Sequence, residues 1–391
     1  MNFMKKKIAI LGSTGSIGKT LINILKKDKK NIELKLITTN KNIKELIKQI
    51  NIFNVKNVIV KDYKSFLKLK KVLNKKKINV YNNFDSINHI FNNKKIDYSM
   101  SAISGLDGLD PTLRLIEFTK KIAIANKESI ICGWSLINKK LLFHNTKFVP
   151  VDSEHYSIYS LIGGLKNNNI ECVYITASGG PFNNYPLNKF KSITPKSALN
   201  HPNWNMGKKI SIDSATLMNK VFEIIEAKMI FNLNYKKLKI LIHSKSYVHA
   251  MVKFSNGVTK ILMHDTNMKI PIFNSIYEED KKKIVTKKLD FSIINNLNFK
   301  NVDLKKFPVV KILNKIPTDS SLFETVIVAA NDKLVKLFLQ KKIHFLDISK
   351  VLLKITQEKE FLKYRRLIPK NITDIIKLSD YVSLKIDTYD I

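Results

Sequence analysis

Two carboxylates stand two residues apart where an apolar stretch ends: Asp152 and Glu154 follow the run 148–151. In an extended segment both side chains point to one side, so they can converge on one hard divalent cation. Such a pair alone is commonly a solvated strand end. The apolar strand with Pro150 before it, and the apolar stretch behind it, favour a metal site that needs a third ligand from elsewhere.

The best source of that ligand is the run 214–223, which contains Ser214, Asn219, Lys220 and Glu223. On a helix the last three share a face, because residues three and four apart are neighbours. That face offers an amide, an ammonium group and a carboxylate. We therefore expect Glu223 to complete the metal site, and Ser214, Asn219 and Lys220 to bind a phosphate.

Two loops can serve the same substrate. Residues 177–182 end a strand with exposed backbone N–H groups and the hydroxyl of Ser178, which suits phosphate binding. Residues 200–207 carry Trp204 in a loop rich in turn residues. A loop aromatic is more often a packing anchor, but this polar setting bounded by Pro and Gly favours a lid that excludes water.

A glycine turn follows the apolar run 8–11, with Gly12, Gly15 and Gly18 spaced as G-x-x-G-x-x-G. Glycines let the backbone turn tightly and approach a pyrophosphate, and the N–H groups of residues 14–17 at a helix start bind the anion. The sequence therefore predicts a dinucleotide site.

The end of the second predicted strand indicates which dinucleotide binds. An NAD enzyme usually has an acid there for the ribose 2′-hydroxyl, but Glu33 lies at the start of this strand, the wrong end. Lys41 is instead placed to meet a 2′-phosphate. The sequence favours NADPH over NADH.

The elements that must position these residues change character along the chain. Over the first 150 residues, short apolar runs alternate with helical patterns, as in parallel βαβ units. A mixed strand and helix pattern follows, and from about residue 310 the chain is amphipathic and strand-poor. We expect an α/β fold with a Rossmann-like NADPH domain (1–150), a central α+β catalytic domain (151–300) with a flexible flap at about 200–209, and a small C-terminal helical domain (301–391). The expected strands are 8–11, 34–38, 58–60, 98–103, 122–125, 148–151, 173–177, 238–242 and 258–263, and the expected helices are 20–27, 43–51, 216–231, 322–339 and 348–355.

Composition excludes several classes of protein. The 391 residues are 44% hydrophobic, which is enough for a core and excludes wholesale disorder. Two cysteines, Cys132 and Cys172, exclude a disulfide scaffold and are expected to be inert core residues; His243 and His249 are expected to be core histidines with satisfied hydrogen bonds. No apolar stretch reaches the roughly 20 residues of a spanning helix, and no signal peptide is evident. We expect a cytoplasmic protein without a membrane partner.

The net charge is unusual: 68 basic minus 32 acidic residues gives +36. Taken alone, this suggests a nucleic-acid partner. The lysines, however, are spread along the whole chain in stretches also rich in Asn and Ile, which is typical of compositional drift. We therefore expect no nucleic-acid partner, although a basic surface would help to steer phosphorylated substrates.

Taken together, these motifs resemble those of the 1-deoxy-D-xylulose 5-phosphate reductoisomerase family. They occur in family order over the first two thirds of the chain. The glycine turn is shared with many dehydrogenases, whereas the acidic segment and the run 214–223 are distinctive. The segments that carry the resemblance are 12–18, 125–129, 150–155, 178–182, 201–204, 206–207 and 210–220.

The resemblance implies an enzyme that rearranges 1-deoxy-D-xylulose 5-phosphate and reduces it with NADPH to 2-C-methyl-D-erythritol 4-phosphate, in non-mevalonate isoprenoid biosynthesis. The resemblance leaves open whether the rearrangement proceeds by retro-aldol and aldol steps or by an acyl shift. Such enzymes are usually homodimers. The alternative is another NADP-dependent dehydrogenase, acting on a small aldehyde or hydroxy acid, which would not need three converging carboxylates.

The resemblance also implies roles for individual residues. Asp152, Glu154 and Glu223 would hold Mg²⁺ or Mn²⁺, with Co²⁺ as a further candidate. Lys127, Glu154 and His201 would be catalytic, and Trp204 and Met206 would cover the site. The substrate-binding set is Lys127, Ser153, Glu154, Ser178, His201, Trp204, Ser214, Asn219, Lys220 and Glu223, and the cofactor-binding set is Thr14, Gly15, Ser16, Ile17, Asn40, Lys41, Asn42, Asn126, Glu128, Met206 and Gly207.

Two positions depart from the family pattern. Val221 stands where a small residue is frequent, and Asn40 replaces a usual glycine in the turn expected to meet the 2′-phosphate. Asn is among the few other residues that tolerate a positive φ. These departures bear on cofactor affinity and stability rather than on the type of reaction.

Overall fold

The structure is a computed structural model that describes residues 5–163, 169–204, 206–278 and 280–389. It divides into two compact units. The first comprises Met1–Ile130, Leu136–Asp152 and Met268–Ile284, and the second comprises Ile131–Ser135, Ser153–Asn267 and Val285–Ile391. Each unit contains its own sheet. The division into three domains stays a prediction.

The first unit contains a parallel seven-stranded sheet in the order β4-β3-β2-β1-β5-β6-β7. Its strands are β1 (Lys6–Leu11), β2 (Ile32–Thr39), β3 (Asn57–Val60), β4 (Asn79–Tyr81), β5 (Ile96–Ser101), β6 (Thr119–Ile124) and β7 (Lys147–Pro150). The connecting helices are α1 (Ser16–Lys26), α2 (Ile43–Phe53), α3 (Tyr63–Val72), α4 (Ser86–Phe91), α5 (Leu109–Ile116) and α6 (Lys127–Phe143), with 3-10 turns at Lys29–Asn31 and Leu106–Gly108.

The strand order reverses between β1 and β5, which makes this pair the topological switch point of the sheet. In open α/β sheets, ligands bind at the carboxyl ends of the strands beside such a point. Residues 8–11 of β1 are all fully buried, as expected for a strand covered on both faces. The predicted Rossmann-like fold is confirmed, and the seven-stranded sheet includes a short strand, β4, that was not predicted.

The second unit contains a mixed five-stranded sheet in the order β11-β10-β8-β9-β12. Only β8 and β9 pair in parallel among its described strands. The strands are β8 (Ile170–Ala177), β9 (Leu238–Ile242), β10 (Val248–Phe254), β11 (Thr259–Met263) and β12 (Lys300–Asn301). Strand β10 lies between β11 and β8 and was not predicted.

Ten further helices follow β7 along the described chain. The predicted helix 216–231 is wrong at its start, because Leu217 adopts a left-handed conformation (φ 68°) and separates two helices. The helices are α7 (Ser153–Ile162), α8 (Pro195–Ala198), α9 (Lys208–Thr216), α10 (Met218–Phe231), α11 (Lys269–Tyr277), α12 (Phe291–Ile294), α13 (Phe323–Leu339), α14 (Phe345–Ile355), α15 (Lys359–Leu362) and α16 (Ile372–Asp387), with 3-10 turns at Gly180–Phe182, Leu187–Ser192, Tyr235–Lys237, Pro308–Asn314 and Lys363–Arg366.

Two predicted regions are the C-terminal helical domain and the flap. Residues 302–389 contain helices and no strand within the described chain, but a separate C-terminal helical domain stays a prediction. The flap at about 200–209 also stays a prediction, and its residue Asn205 lies outside the described residues. None of the described helices is both long and apolar enough to cross a membrane.

Helix α11 belongs to the first unit although it lies far along the chain, inside the range 151–300. Its residues Ile272, Ile276 and Tyr277 are part of the same hydrophobic core as β1 and α1. The hydroxyl of Tyr98 on β5 lies 2.8 Å from the Ser275 hydroxyl, and Ser275 donates to the Ile272 carbonyl at 2.7 Å. Tyr98 therefore donates to Ser275, which joins α11 to the central sheet.

Removing only the Ser275 acceptor of this hydrogen bond should lower the free energy of unfolding more than removing both hydroxyl groups. Ser275→Ala leaves the buried Tyr98 hydroxyl without its acceptor, so we expect the free energy of unfolding to fall by about 1–3 kcal/mol. In Ser275→Ala combined with Tyr98→Phe, no buried hydroxyl remains, and part of that loss should be recovered. Urea unfolding of the wild type, both single variants and the double variant measures this. Strictly additive losses would contradict the assigned bond.

Candidate active site

The glycine turn joins β1 to α1 in a form that requires glycine. Gly12 has φ 78°, and a Cβ atom there would lie 2.6 Å from the Ala102 carbonyl oxygen, while one on Gly18 would collide with the Gly12 carbonyl oxygen. Gly15 caps α1 without a side chain, so the first N–H groups of the helix have no intrahelical acceptor. The turn thus has the geometry of an anion site.

The end of β2 borders this turn. The hydroxyl of Thr14 lies 2.6 Å from that of Thr39. Beyond it, the Lys41 side chain is 75% exposed, and its ammonium group is 4.0 Å from Asp62. The Asn42 side chain accepts from the Glu45 N–H at 3.2 Å and caps α2. Asn40 is exposed and does not have a positive φ, so the departure from glycine there carries no left-handed strain.

Asn126 organises the loop after β5. Its side-chain oxygen Oδ1 caps α6 by accepting from the Ser129 N–H at 2.9 Å. Its side-chain nitrogen Nδ2 donates to the backbone carbonyls of Gly105, at 2.7 Å, and Ile103. The side chain is buried. Asn126 therefore holds two segments at the carboxyl edge of the sheet together, and Glu128 lies buried in the first turn of α6 beside it.

Three carboxylates converge where β7 ends. Asp152 follows β7, Glu154 lies in the first turn of α7, and Glu223 comes from α10. One ligand oxygen from each lies within 4.8 Å of the other two. The predicted extended geometry is wrong, because α7 begins at Ser153; the two acids approach each other across a helix start instead.

Ammonium groups accompany these carboxylates. Lys127 donates to Asp152 at 2.5 Å, and Lys220 donates to Glu154 at 2.7 Å and also to Glu223. Burial by itself would lower the pKa of Lys220, but the charges of Glu154 and Glu223 outweigh it and raise the pKa above its usual value. Lys220 is therefore a charged ammonium group, which offsets the mutual repulsion of the carboxylates.

The predicted helical face of α10 is present. Asn219 donates to one oxygen of Glu223 and Lys220 to the other, while Ser153 donates to Glu154 at 2.5 Å. His155 is a further positioning residue that the sequence reasoning missed. Its Nε2 donates to the Glu223 carbonyl at 2.9 Å, and its buried ring stacks against Phe231. Its position directly after Glu154 was the available signal.

The structure also brings the two predicted phosphate-binding segments together. The Gly180 N–H donates to the Ser178 hydroxyl at 3.0 Å. Gly180 has φ 62°, and a Cβ atom on it would lie 2.8 Å from the carbonyl oxygen of Ser214 on α9. After Ser214 the chain turns at Leu217 into α10, whose first turn contains Asn219 and Lys220.

His201 connects this loop to the following one. Its Nδ1 accepts the N–H groups of Asn203, at 3.2 Å, and Trp204, at 3.0 Å. Nε2 must therefore carry the proton, and it donates to the Ser178 hydroxyl at 3.1 Å. Burial, and then the charge of Lys220, lower the pKa of His201 to about 4. His201 is thus neutral at pH 7 and anchors residues 201–204; its contact with a substrate stays a prediction.

Sequence reasoning missed the far anchors of the same loop. Asn203 donates to the Ser244 carbonyl at 2.6 Å and to the Ser246 hydroxyl at 2.9 Å, in the turn between β9 and β10. The Trp204 ring meets the edge of His249, which in turn stacks on His264 at 3.8 Å. These contacts depend on the unpredicted strand β10, so local sequence gave no signal for them.

The remaining predicted residues are placed as follows. Gly207 caps α9, and Met206 before it is half-buried. His243 and His249 are buried, and each has one ring nitrogen hydrogen-bonded to a backbone carbonyl, of Asn298 and His264 respectively. Cys132 and Cys172 are buried thiols, as expected of core residues.

Family models match three segments of the chain. The description "1-deoxy-D-xylulose 5-phosphate reductoisomerase" matches residues 8–133, the C-terminal domain of the same enzyme matches residues 148–231, and "DXP reductoisomerase C-terminal domain" matches residues 263–382.

Whole relatives agree with these matches. A 1-deoxy-D-xylulose 5-phosphate reductoisomerase of Pelagibacter ubique is 64% identical over 387 residues, covering 99% of this chain and 100% of the relative. One from Clostridium botulinum is 40% identical, covering 89% and 91%. Among solved structures, the Zymomonas mobilis enzyme in complex with NADPH has TM-score 0.88 and 30% identity, covering 98% of each chain. A reductoisomerase in complex with NADPH, fosmidomycin and magnesium has TM-score 0.90 and 28% identity, covering 98% of this chain and 97% of that one.

The neutral state of His201 predicts a pH dependence. Its pKa in the folded chain, about 4, lies below the ordinary value of 6.5, so the unfolded chain binds the proton more readily between those values. The stabilisation is complete above pH 6.5 and is lost as the pH falls towards 4. Asn at position 201 can accept the same backbone N–H groups without titrating. We expect His201→Asn to flatten the fall in urea midpoint between pH 7 and 5; parallel curves for the two proteins would contradict this.

Proposed function

The chain belongs to the 1-deoxy-D-xylulose 5-phosphate reductoisomerase family, and on that basis we propose that it converts 1-deoxy-D-xylulose 5-phosphate to 2-C-methyl-D-erythritol 4-phosphate with NADPH and a divalent cation. The observation that carries this proposal is the convergence of Asp152, Glu154 and Glu223. Another dehydrogenase of a small aldehyde or hydroxy acid, the alternative, needs no such cluster and is not favoured.

The donor set fits a hard divalent cation. Carboxylate oxygens are the ligands that Mg²⁺ and Mn²⁺ prefer, and these three offer ligand atoms within 4.8 Å of one another. We assign Asp152, Glu154 and Glu223 as the metal ligands, with Co²⁺ as a further candidate. When bound, the cation supplies a Lewis acid that polarises substrate oxygens and stabilises developing negative charge.

The turn after β1 fits a dinucleotide. Residues 14–17 offer helix N–H groups to the pyrophosphate, and the exposed Lys41, with Asn40 beside it, suits a 2′-phosphate. NADPH supplies the hydride that reduces the rearranged substrate. The other residues assigned to its binding are Asn42, Asn126, Glu128, Met206 and Gly207, of which Asn42 and Asn126 also cap helices.

We assign the substrate phosphate to Ser178, Ser214, Asn219 and Lys220. The Ser178 hydroxyl accepts from the Gly180 N–H and from His201, so its own hydrogen is available for a phosphate oxygen. Lys220 holds its proton firmly because Glu154 and Glu223 stabilise the charged form. Together these groups bind and orient the phosphate end, which lowers the entropic cost of reaction.

The polar backbone of the substrate is assigned to Lys127, Ser153, Glu154 and His201. The ammonium group of Lys127 lies beside Asp152, where it can donate to a substrate oxygen and stabilise developing negative charge. His201, neutral and fixed by its three hydrogen bonds, holds the loop that carries Trp204. Trp204 and Met206 are the side chains we expect to cover the site and exclude water.

The organisation in three domains, the homodimer and the cytoplasmic location belong to the same proposal. Strand β11 supports a second copy, since it ends the described sheet and exposes Val258, Ile261 and Met263 at or near that edge. Apolar edge strands are commonly covered by another chain. The two buried cysteine thiols are consistent with a reducing compartment.

The proposal is tested by following NADPH oxidation when 1-deoxy-D-xylulose 5-phosphate is added. We expect turnover that requires both the substrate and Mg²⁺, and that stops when a chelator removes the cation. NADPH binding without turnover on this substrate would overturn the proposed reaction while leaving the family assignment in place.

Glu223→Gln tests the acidic site within that assay. The amide keeps the volume but removes one negative charge from the cluster, so we expect turnover to be abolished and NADPH affinity to stay within about twofold. Fluorescence titration with NADPH and calorimetric titration with Mg²⁺ measure the two affinities. Loss of NADPH binding together with turnover would make Glu223 a structural residue instead.

Lys41→Ala tests the assignment of the 2′-phosphate. Losing a charge-assisted contact should weaken the binding of NADPH by about tenfold, with little effect on the binding of NADH. Lys44→Ala, on the following helix, is a matched control for the general loss of positive charge. Equal weakening of both cofactors by Lys41→Ala would refute the 2′-phosphate contact.

A further inference from the structure

Asp213 is a buried charge directly before Ser214. It lies on α9, and its side chain is 3% exposed. A buried carboxylate requires compensating partners, because leaving one unpaired is strongly unfavourable. The groups that pair with the Asp213 carboxylate therefore fix the position of α9.

One partner comes from the C-terminal part of the chain. Asn331 on α13 is fully buried and donates from its amide nitrogen to Asp213 Oδ1 at 2.7 Å. An ionised carboxylate can only accept, so this orientation of the amide is fixed by chemistry. The side-chain oxygen of Asn331 has no hydrogen-bond partner among the described residues. The role of this buried amide is therefore its hydrogen bond to Asp213.

A second partner bridges the same two helices. Lys209, one turn before Asp213 on α9, lies 3.2 Å from Asp213 Oδ2 and 3.0 Å from Asp332 Oδ1 on α13. Consecutive residues of α13, Asn331 and Asp332, thus act on the two ends of one α9 turn. The first bond is buried, and the second is partly exposed.

This turn of α9 carries the phosphate-binding group. Ser214 follows Asp213, its carbonyl packs on Gly180, and α9 ends two residues later at Thr216 before the left-handed Leu217. Displacement of α9 would therefore move Ser214 relative to Ser178, Asn219 and Lys220.

We propose that Asn331 is a positioning residue for the substrate phosphate, acting through Asp213 on Ser214, so that the C-terminal helix α13 sets the geometry of the phosphate site. This rests on the proposed function, in which Ser214 binds that phosphate. Asn331 is fully buried and is not among the residues assigned to the substrate or the cofactor. Its effect is on KM for the phosphorylated substrate rather than on NADPH binding.

An exchange of the two side chains tests this. Asn331→Asp sets two carboxylates against each other, so we expect KM for 1-deoxy-D-xylulose 5-phosphate to rise at least about tenfold, with a smaller change in kcat and an unchanged Kd for NADPH. Asp213→Asn alone keeps an acceptor and should be milder. The double variant restores an amide–carboxylate pair with reversed roles, and KM should return to within about threefold of the wild type.

Two further variants keep the result decisive. Ala329→Gly destabilises the same helix about 200° around it from Asn331, and should lower the thermal midpoint without changing KM. If Asn331→Asp does not accumulate as folded protein, Asn331→Ala replaces it, with the same expected rise in KM.

The outcomes separate the two proposals. A rise in KM for Ser214→Ala together with an unchanged KM for the Asn331 variants would overturn the positioning role alone. An equal rise for Ala329→Gly, or no recovery in the double variant, would also overturn it by making Asn331 a general stability residue. An unchanged KM for Ser214→Ala would overturn the assigned phosphate role of Ser214 and the positioning role with it, while turnover itself would still support the proposed reaction.

Discussion

The constraint on which the site depends is the mutual repulsion of three carboxylates held within 4.8 Å of one another. Without nearby positive charge, such a cluster would bind protons and lose its charge. The structure supplies that charge from within: Lys127 pairs with Asp152, and the buried Lys220 pairs with Glu154 and Glu223. These ion pairs offset the repulsion among the three carboxylates. A cation can then be attracted to oxygens that are already in place.

A sharp corner precedes α10, the helix that carries Lys220 and Glu223 one turn apart. Leu217 forms it with φ 68°, a conformation that costs a residue with a Cβ atom about 1–2 kcal/mol. The side chain of Leu217 is almost fully buried, and burial of a leucine contributes about 1.5–3 kcal/mol. Burial thus outweighs the strain. Ser214 on α9 and Asn219 on α10 stand on either side of this corner, so one backbone feature joins the acidic cluster to residues assigned to the substrate phosphate.

The sequence predicted those parts of the molecule that local periodicity determines. The strand and glycine turn at residues 8–18, and the helical face of Asn219, Lys220 and Glu223, follow from spacing alone. The corner at Leu217 could not be predicted in this way, because no Gly, Asn or Pro marks it within a continuous helical pattern. Strand β10 was missed because a short apolar run does not distinguish strand from helix. The return of α11 to the first unit, and the bond from Asn331 to Asp213, join residues far apart in sequence, and no local pattern specifies such partners.

Two scales of electrostatics operate in this chain, and they favour different events. The net charge of +36 acts over the surface, where salt screens it beyond about 8 Å at physiological ionic strength; it can increase encounters with phosphorylated molecules but cannot fix their orientation. Orientation requires buried, weakly screened pairs such as Lys220 with Glu154. Since burial and the positive charge of Lys220 both favour the neutral form of His201, the same burial that strengthens the ion pairs keeps this imidazole available as a hydrogen-bond anchor. The surface charge thus governs approach, and the buried groups govern the geometry of binding.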